Sequence, residues 1–163
     1  MYRPRRASER DASAIAAVTN AAYVVERFFV DGDRTSAEEI RSLMGDGRFL
    51  VVDHADGRLV GSIHVRVRGD RGYFGLLAVD PAMQGHGLGR RLVAAAEALC
   101  AAAGCASMDL RVVNLRSELP PWYRSLGYEE CGTEPFPDDC ETKLPCHFIR
   151  MSKSLGDPVA AGS

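Results

Sequence analysis

Short runs rich in apolar, β-branched and aromatic residues, bounded by turn signals, predict most of the β-strands of this chain. Phe49–Asp53 and Leu59–Val67 are rich in β-branched and aromatic residues, and the Asp56-Gly57 pair between them is typical of a hairpin turn. Tyr73–Val79 predicts the next strand, which Asp80-Pro81 ends because proline cannot donate to a strand ladder. These three strands are consecutive, so we expect them to pair antiparallel.

Four further segments, one at the N-terminus and three after the long third helix, are also predicted as strands, and the last of them alternates apolar and polar residues. The predicted strands are Tyr2–Ala7, Ser107–Val113, Tyr128–Thr133 and Phe148–Ser152. A proline-containing loop, Glu134–Pro145, separates the last two.

Apolar residues at helical spacing predict four helices. The first is capped by Ser8 or Asp11, and its apolar positions are Ile15, Val18, Ala22 and Val25. The second begins at the capping-box-like segment Thr35–Glu39 and ends near Gly45. The third follows a glycine-rich turn, ends at Gly104, and has one apolar face formed by Leu92, Val93, Ala96, Leu99, Cys100 and Ala103. The fourth, Glu118–Leu126, is stopped by Gly127.

This order of elements predicts an α/β (α+β) domain with an antiparallel start and a parallel β–loop–α–β unit in the middle. We expect residues 1–155 to form a single domain and residues 156–163 a flexible C-terminal tail.

Composition limits the classes of partner. The formal net charge is −2 and the pI about 6.1, so no general electrostatic field attracts nucleic acid or an anionic membrane. Leu92–Met108, the longest nearly uncharged stretch, contains Glu97 and is too short to span a bilayer. No apolar signal-peptide core follows the basic N-terminus, so we expect a cytoplasmic protein.

The cysteines and histidines predict no metal site. The five cysteines (Cys100, Cys105, Cys131, Cys140 and Cys146) contain no C-x-x-C pair, and an odd number cannot pair completely, so free thiols are expected. Cys131, Cys140 and Cys146-His147 fit no zinc-ligand spacing. The four scattered histidines favour structural or surface roles.

The segment Gln84–Gly89 is the strongest chemical signal in the chain. Three glycines at every second position, Gly85, Gly87 and Gly89, stand between a predicted strand and a long helix. Glycines allow close backbone approach to a ligand, and a helix N-terminus favours an anion such as a pyrophosphate. The turn lacks the G-x-G-x-x-G spacing of a dinucleotide site, and it lacks the lysine of a Walker A loop.

Gln84-x-x-Gly87-x-Gly89, together with Arg5-x-Ala-x-x-x-Asp11 and the later Trp122–Tyr128, resembles the GCN5-related N-acetyltransferase (GNAT) family. The resemblance implies the GNAT acyl-CoA N-acyltransferase fold, a mixed central sheet flanked by helices. It also implies that the glycine-rich turn binds the pyrophosphate of acetyl-CoA.

The resemblance assigns cofactor-binding residues by position. Leu77, Ala78 and Val79 would contact the pantetheine arm through their main chain, although Leu77 and Val79 are equally suited to a core. The backbone of the turn would hold the pyrophosphate, and its residues are Gln84, Gly85, His86, Gly87, Leu88, Gly89 and Arg90. Asn114 matches a frequent asparagine of the family, but Leu119-Pro120-Pro121 lengthens the usual spacing from that asparagine to the tyrosine.

Tyr123 matches the family's general acid, which would protonate the departing CoA thiolate. A packing aromatic is the structural alternative. The general base is not identified by a motif: Glu26 and Glu118 are candidates, and Tyr73 is a candidate for holding a water, yet each also fits a solvated face. Leu77 is expected to donate its N–H to the developing oxyanion.

Phe28-Phe29 and Trp122 are apolar residues near predicted helix ends, where they suit either an acceptor pocket or the core.

The expected function is therefore acetyl-CoA-dependent N-acetyl transfer to a primary amine of a small molecule or peptide, by direct attack in a ternary complex. A catalytically degenerate GNAT module that binds acyl-CoA as a sensor or partner domain is the alternative. A nucleotide-binding protein is a third possibility. Neither nucleic acid nor membrane is an expected partner, and homodimerisation is common in the family.

Overall fold

The computed structural model of the chain describes residues 2–137 and 140–156, and within these residues seven strands form one sheet in the order β1-β2-β3-β4-β5-β7-β6. The strands are β1 (Arg5–Arg6), β2 (Arg48–Asp53), β3 (Leu59–Arg68), β4 (Arg71–Val79), β5 (Ser107–Val113), β6 (Glu129–Pro135) and β7 (His147–Ser154). The helices are α1 (Ala12–Ala22), α2 (Ala37–Met44), α3 (Leu88–Ala102) and α4 (Leu119–Ser125).

Neighbouring strands pair antiparallel except β4 and β5, which are parallel. The prediction of a mixed central sheet flanked by helices, with an antiparallel start and a parallel middle, is confirmed. The connection from β4 to β5 includes the glycine-rich turn and α3, so the turn lies at the carboxyl end of β4. Such ends of parallel strands are where α/β proteins commonly bind ligands.

Helices cover both faces of the sheet, and the alternation of β2 shows the division. Leu50 and Val52 belong to a core cluster with Leu92 of α3. Phe49 and Val51 point the other way, into a second cluster with α1 and α2 that includes Ile15 and Ile40. Among the described residues, none of the helices is both long enough and apolar enough to cross a membrane.

Two predicted elements differ from the structure at the N-terminal end. The first strand comprises Arg5–Arg6 alone, paired to the β2 edge, instead of Tyr2–Ala7. Helix α1 ends at Ala22 and continues as a 3₁₀ turn over Tyr23–Glu26, which rotates Val25 out of the helical stripe and leaves it 54% exposed. Its apolar spacing was therefore a misleading signal.

Local capping chemistry follows the prediction. Ser36 accepts a hydrogen bond from the Glu39 N–H at 3.1 Å and begins α2. Ser8 is the N-cap residue of a short 3₁₀ turn that leads into α1, and its backbone N–H donates to Asp11 Oδ2 at 2.8 Å. Asp11, the N-cap residue of α1 itself, makes no side-chain capping bond. Pro120 and Pro121 both lie in the first turn of α4, where a backbone N–H has no helical acceptor and its absence costs no hydrogen bond. Of the predicted C-terminal tail, all but Gly156 lies outside the described residues.

Candidate active site

The β4 and β5 strands separate soon after they begin. Their parallel pairing is limited to Arg71–Tyr73 opposite Ser107–Asp109. Beyond Tyr73, β4 continues for six residues to Val79 without pairing to β5. Its backbone N–H and C=O groups on that side are consequently available to a ligand. The divergence opens a gap in the middle of the sheet.

A bulge in β4 lies at this gap. The register between β3 and β4 shifts between Ser62 and His64, and Leu76 opposite the shift has φ 51°, which is strained for a leucine. After the bulge, Leu77 and Val79 line a cavity while Ala78 is buried and pairs with Ser62. The side chain of Ala78 thus belongs to the core, and the cavity-facing positions are the two that flank it.

The glycine-rich turn continues directly from β4. Gly85 and Gly87 have φ of 86° and 77°, values that favour glycine, and a Cβ placed on either would project into open space. No side chain caps α3, whose first helical bond runs from the Arg91 N–H to the Gly87 carbonyl at 3.1 Å. The amides before Arg91 are therefore not used within the helix, as an anion site requires.

The other turn residues have different surroundings. Gln84, Leu88, Gly89 and Arg90 line the cavity with Gly85 and Gly87. His86 instead directs its Nδ1 toward the carbonyl oxygens of Met83 and Gln84, at 3.2 and 3.3 Å, and helps to fix the turn. A Cβ on Gly89 would lie 3.4 Å from the Trp122 ring, so α4 packs closely on the start of α3.

These features share one cavity of about 1110 Å³. It extends from the glycine-rich turn through the gap between β4 and β5 to the 3₁₀ turn after α1, where Tyr23 and Glu26 line it. Its size suits an extended cofactor together with a small second substrate.

Tyr123 lines this cavity from α4 and is 5% exposed. Its ring packs near those of Trp122, Phe74 and Tyr128, at centroid distances of 4.9, 5.9 and 6.0 Å. Burial raises the pKa of Tyr123 above its ordinary value, and the Tyr23 phenol adds to this rise. The hydroxyl therefore keeps its proton at neutral pH, as a general acid must.

The structure brings both candidate bases to one arginine. Arg116, in the connection between β5 and α4, donates from Nη1 to Glu26 Oε2 at 2.9 Å and from Nε to Glu118 Oε2 at 3.1 Å. The Glu26 side chain is 12% exposed, so it does not lie on a solvated face, whereas the Glu118 side chain is 62% exposed.

The two carboxylates differ in proton affinity. Burial raises the pKa of Glu26 above 4.5, and the hydrogen bond from Arg116 only partly offsets that rise. For Glu118, partial burial is outweighed by hydrogen bonds from its own backbone N–H and from Arg116, so its pKa is lowered. Since a base with a pKa closer to the working pH accepts a proton more readily, Glu26 is the better candidate.

Two Arg–Tyr contacts lie at the end of the cavity away from the turn. The Arg66 guanidinium lies 4.3 Å from the centre of the Tyr73 ring, and the Arg34 guanidinium lies 5.5 Å from that of Tyr23. All four residues line the cavity. Burial raises the pKa of Tyr23 to about 12, so this phenol is also neutral.

Several candidate residues lie elsewhere. The Asn114 side chain accepts the His147 N–H at 2.8 Å and extends the β5–β7 pairing, and Asn114 is not among the residues lining the cavity. Phe29 is fully buried while Phe28 is 51% exposed, and neither lines the cavity. Trp122 does line it. Across residues 2–137 and 140–156, no group of three or more His, Cys, Asp or Glu side chains could hold a metal ion.

Sequence reasoning missed Tyr23, Arg66 and Arg116 in the cavity wall. Arg116 follows β5 closely and stands two residues before Glu118, which is the one local signal that could have identified it. Its contact with Glu26 joins positions 90 apart in the chain and has no local signature.

The sequence profile of the acetyltransferase (GNAT) domain matches residues 45–130, which is more than half of the 163 residues. This segment includes β4, the glycine-rich turn, α3, β5 and α4. No curated protein sequence matches the chain significantly.

Solved structures with the same fold include three acetyltransferases. The ribosomal-protein-S18-alanine N-acetyltransferase from Escherichia coli has a TM-score of 0.74 at 20% identity, over 96% of this chain and 95% of that one. Ard1 from Thermoplasma volcanium has a TM-score of 0.78 at 20% identity, over 94% and 97%. The phosphinothricin acetyltransferase (Pat) from Sinorhizobium meliloti, in complex with AcCoA, has a TM-score of 0.74 at 16% identity, over 97% and 90%.

Proposed function

The chain belongs to the GNAT acetyltransferase family, and we propose that it is an acetyl-CoA-dependent N-acetyltransferase acting on a primary amine of a small molecule or peptide. The observation that carries this proposal is the divergence of β4 from β5 beyond Tyr73, because it joins the glycine-rich turn, Tyr123 and Glu26 in one cavity.

The residues present suit acetyl-CoA as co-substrate. The unpaired edge of β4 from Leu77 to Val79 offers backbone groups to the amides of a pantetheine arm. Open space above Gly85 and Gly87, beside the uncapped start of α3, suits a pyrophosphate. Arg90 lies at this end with its guanidinium 3.4 Å from Ser125 Oγ and adds positive charge. When bound, acetyl-CoA supplies an acetyl group activated as a thioester.

In the proposed mechanism the amine is made nucleophilic by loss of a proton. Glu26 accepts this proton, directly or through a water held by the Tyr73 hydroxyl, because burial makes its carboxylate more basic than usual. Arg116 holds the Glu26 carboxylate in position at 2.9 Å. Without this contact the Glu26 carboxylate would be a buried charge without its ion-pair partner, which is energetically costly.

Two other groups that line the cavity would act on the thioester. The Leu77 N–H, directly after the Leu76 bulge, donates a hydrogen bond to the carbonyl oxygen as negative charge develops there. The Tyr123 hydroxyl donates its proton on the sulfur side, where the thiolate departs. Its raised pKa keeps the hydroxyl neutral throughout the neutral range, so transfer would accompany the departure of the thiolate.

Release of free thiol from acetyl-CoA, measured with a panel of primary amines, tests the proposal. We expect amine-dependent thiol release, with initial-rate plots that intersect as a ternary complex requires. Parallel plots would instead indicate a covalent acetyl-enzyme. Trp122 is the one tryptophan of the chain and lines the cavity, so its fluorescence reports CoA binding independently of turnover.

The same measurements separate the alternatives. CoA binding without thiol release from any amine would favour the degenerate sensor module over the enzyme. Tighter binding of ATP or NAD than of CoA would overturn the assignment of the glycine-rich turn.

A further inference from the structure

At the end of the cavity away from the glycine-rich turn, some basic side chains are not fully paired with carboxylates of the cavity wall. Arg116 is shared between Glu26 and Glu118, so its charge is compensated within the wall. Arg34 and Arg66 differ from it. Both line the same cavity, and both lie against tyrosine rings that border it.

Arg66 is fixed in place but has unused donors. Its guanidinium lies on the Tyr73 ring, and its buried Nε has no hydrogen-bond partner among the described residues. Its contact with Asp46 is long, at 3.4 Å, because the same carboxylate is held by Arg68 at 3.0 and 3.1 Å. Because neighbouring atoms cover that Nε, a ligand would reach the guanidinium through its Nη1 and Nη2 groups, of which, among the described residues, only Nη1 has a contact, the long one to Asp46.

Arg34 supplies a second cation at the same end of the cavity. It is exposed, and within residues 2–137 and 140–156 no carboxylate lies within 4.0 Å of it as an ion-pair partner. It packs over Tyr23, which lies on the same 3₁₀ turn as Glu26. The proposed base and these cations line one cavity, together with Glu39 and with Asp31 and Asp33, which are paired with Lys143 and Arg27 at 2.9 and 3.7 Å. Glu26 suits an ammonium group, and the two arginines suit an anion.

We propose that the acceptor amine carries a carboxylate, as a free amino acid or an amino-acid-like compound does, and that Arg66 and Arg34 bind that carboxylate. This inference rests on the proposed transferase function. Guanidinium groups bind carboxylates through paired, charge-assisted hydrogen bonds, whereas a polyamine or aminoglycoside would place like charges against Arg34 and Arg66.

Matched acceptors test this substrate class. The protein amino acids are compared with their carboxamides in the thiol-release assay, at saturating acetyl-CoA. The carboxamide has the less basic amine and thus more of the reactive free base, so chemistry alone favours it. We expect the acid to have the higher kcat/KM in spite of this. Equal or better use of carboxamides, capped peptides or polyamines would overturn the inference while leaving the transferase function intact.

Variants identify the residues. Arg66→Gln and Arg34→Gln should each lower kcat/KM for the acid by about 10- to 100-fold, with little change for the carboxamide or in the KM of acetyl-CoA. A raised KM for acetyl-CoA alone would mean that the arginines hold a cofactor phosphate, and would refute the inference. Arg68→Gln is the control, since Arg68 shares Asp46 but does not line the cavity.

A binding measurement decides the inference even where turnover is absent. With CoA saturating, calorimetric titration of the same amino acids should show binding to the wild-type protein and its loss in Arg66→Gln. No binding, or binding that Arg66→Gln leaves unchanged, would refute carboxylate recognition. Absence of thiol release with every amine, beside normal amino-acid binding, would instead count against the transferase function alone.

Discussion

Replacing Tyr123 by phenylalanine removes a single oxygen from the wall of the cavity. The ring contacts with Trp122, Phe74 and Tyr128 are kept, because they involve the aromatic carbons. Within the part of the chain that the structure describes, the Tyr123 hydroxyl makes no hydrogen bond. We therefore expect the free energy of unfolding to change by less than about 0.5 kcal/mol, as for a substitution that breaks no contact.

Turnover should respond differently. Loss of a general acid lowers kcat by about 10²- to 10⁴-fold, which corresponds to about 2.7–5.5 kcal/mol of transition-state stabilisation. The KM of acetyl-CoA should change little, since the turn and the β4 backbone remain.

Tyr128→Phe is the matched control. Tyr128 belongs to the same aromatic cluster, but its hydroxyl donates to Glu97 at 2.7 Å and does not line the cavity. Its removal should destabilise the fold by about 1.5 kcal/mol, at the low end for a bond to a charged group because Glu97 keeps its ion pair with Lys153. This predicts a Tm lower by about 3–6 °C with kcat unchanged.

Thermal unfolding and thiol release, measured on both variants, test the two roles together. The mechanism requires low kcat with normal Tm for Tyr123→Phe, and the reverse for Tyr128→Phe. Wild-type kcat in Tyr123→Phe would refute the assignment of Tyr123 as general acid. A large fall in Tm for that variant would show that the hydroxyl has a structural role.

Two further substitutions test the turn and the base. Gly87→Val forces a β-branched residue to φ 77° and projects it into the cavity, so the affinity for CoA, measured by calorimetry, should fall at least about 10-fold. Gly57→Val is the control: it is at φ 90° in the β2–β3 hairpin, has similar strain, and should leave the affinity for CoA unchanged. Glu26→Gln should lower kcat about 100-fold, whereas the exposed Glu118→Gln should stay within about twofold. Because the Glu26 pKa is raised, wild-type activity should increase with pH through a midpoint above 4.5, and a pH profile unchanged in Glu26→Gln would contradict its role as base.

The strands could be predicted from the sequence because their signals are local. β2 to β5 follow runs rich in apolar and β-branched residues, and glycines stand two residues after the ends of α3 and α4. Val24 and Val25 show where such signals fail. They continue an apolar helical pattern, yet they are 47% and 54% exposed, because no element packs over that side of the 3₁₀ turn.

In the candidate site, too, one part could be predicted from local sequence and another could not. The glycine-rich turn could be predicted because the need for glycine arises from the conformation of the turn itself, with φ of 86° at Gly85 and 77° at Gly87. The choice between Glu26 and Glu118 could not, because it depends on burial and on Arg116, which packing alone brings to both carboxylates. The two residues have the same side chain and charge, and only the tertiary fold raises the pKa of Glu26 while that of Glu118 is lowered.

The aromatic cluster links the shape of the sheet to the placement of the acid. Pairing of β4 with β5 stops at Tyr73, and the next residue, Phe74, is buried against Tyr123 of α4 and Tyr128. Three rings thus fill the space beside the point where the strands diverge. Without them the interior would contain a void there, which close packing disfavours. The residue proposed to donate a proton is therefore also part of the packing beside the gap, which fixes its hydroxyl with respect to the β4 backbone. Burial raises the pKa of Tyr123, so the hydroxyl is neutral at neutral pH, and the proposed proton transfer would occur only as the thiolate develops beside it.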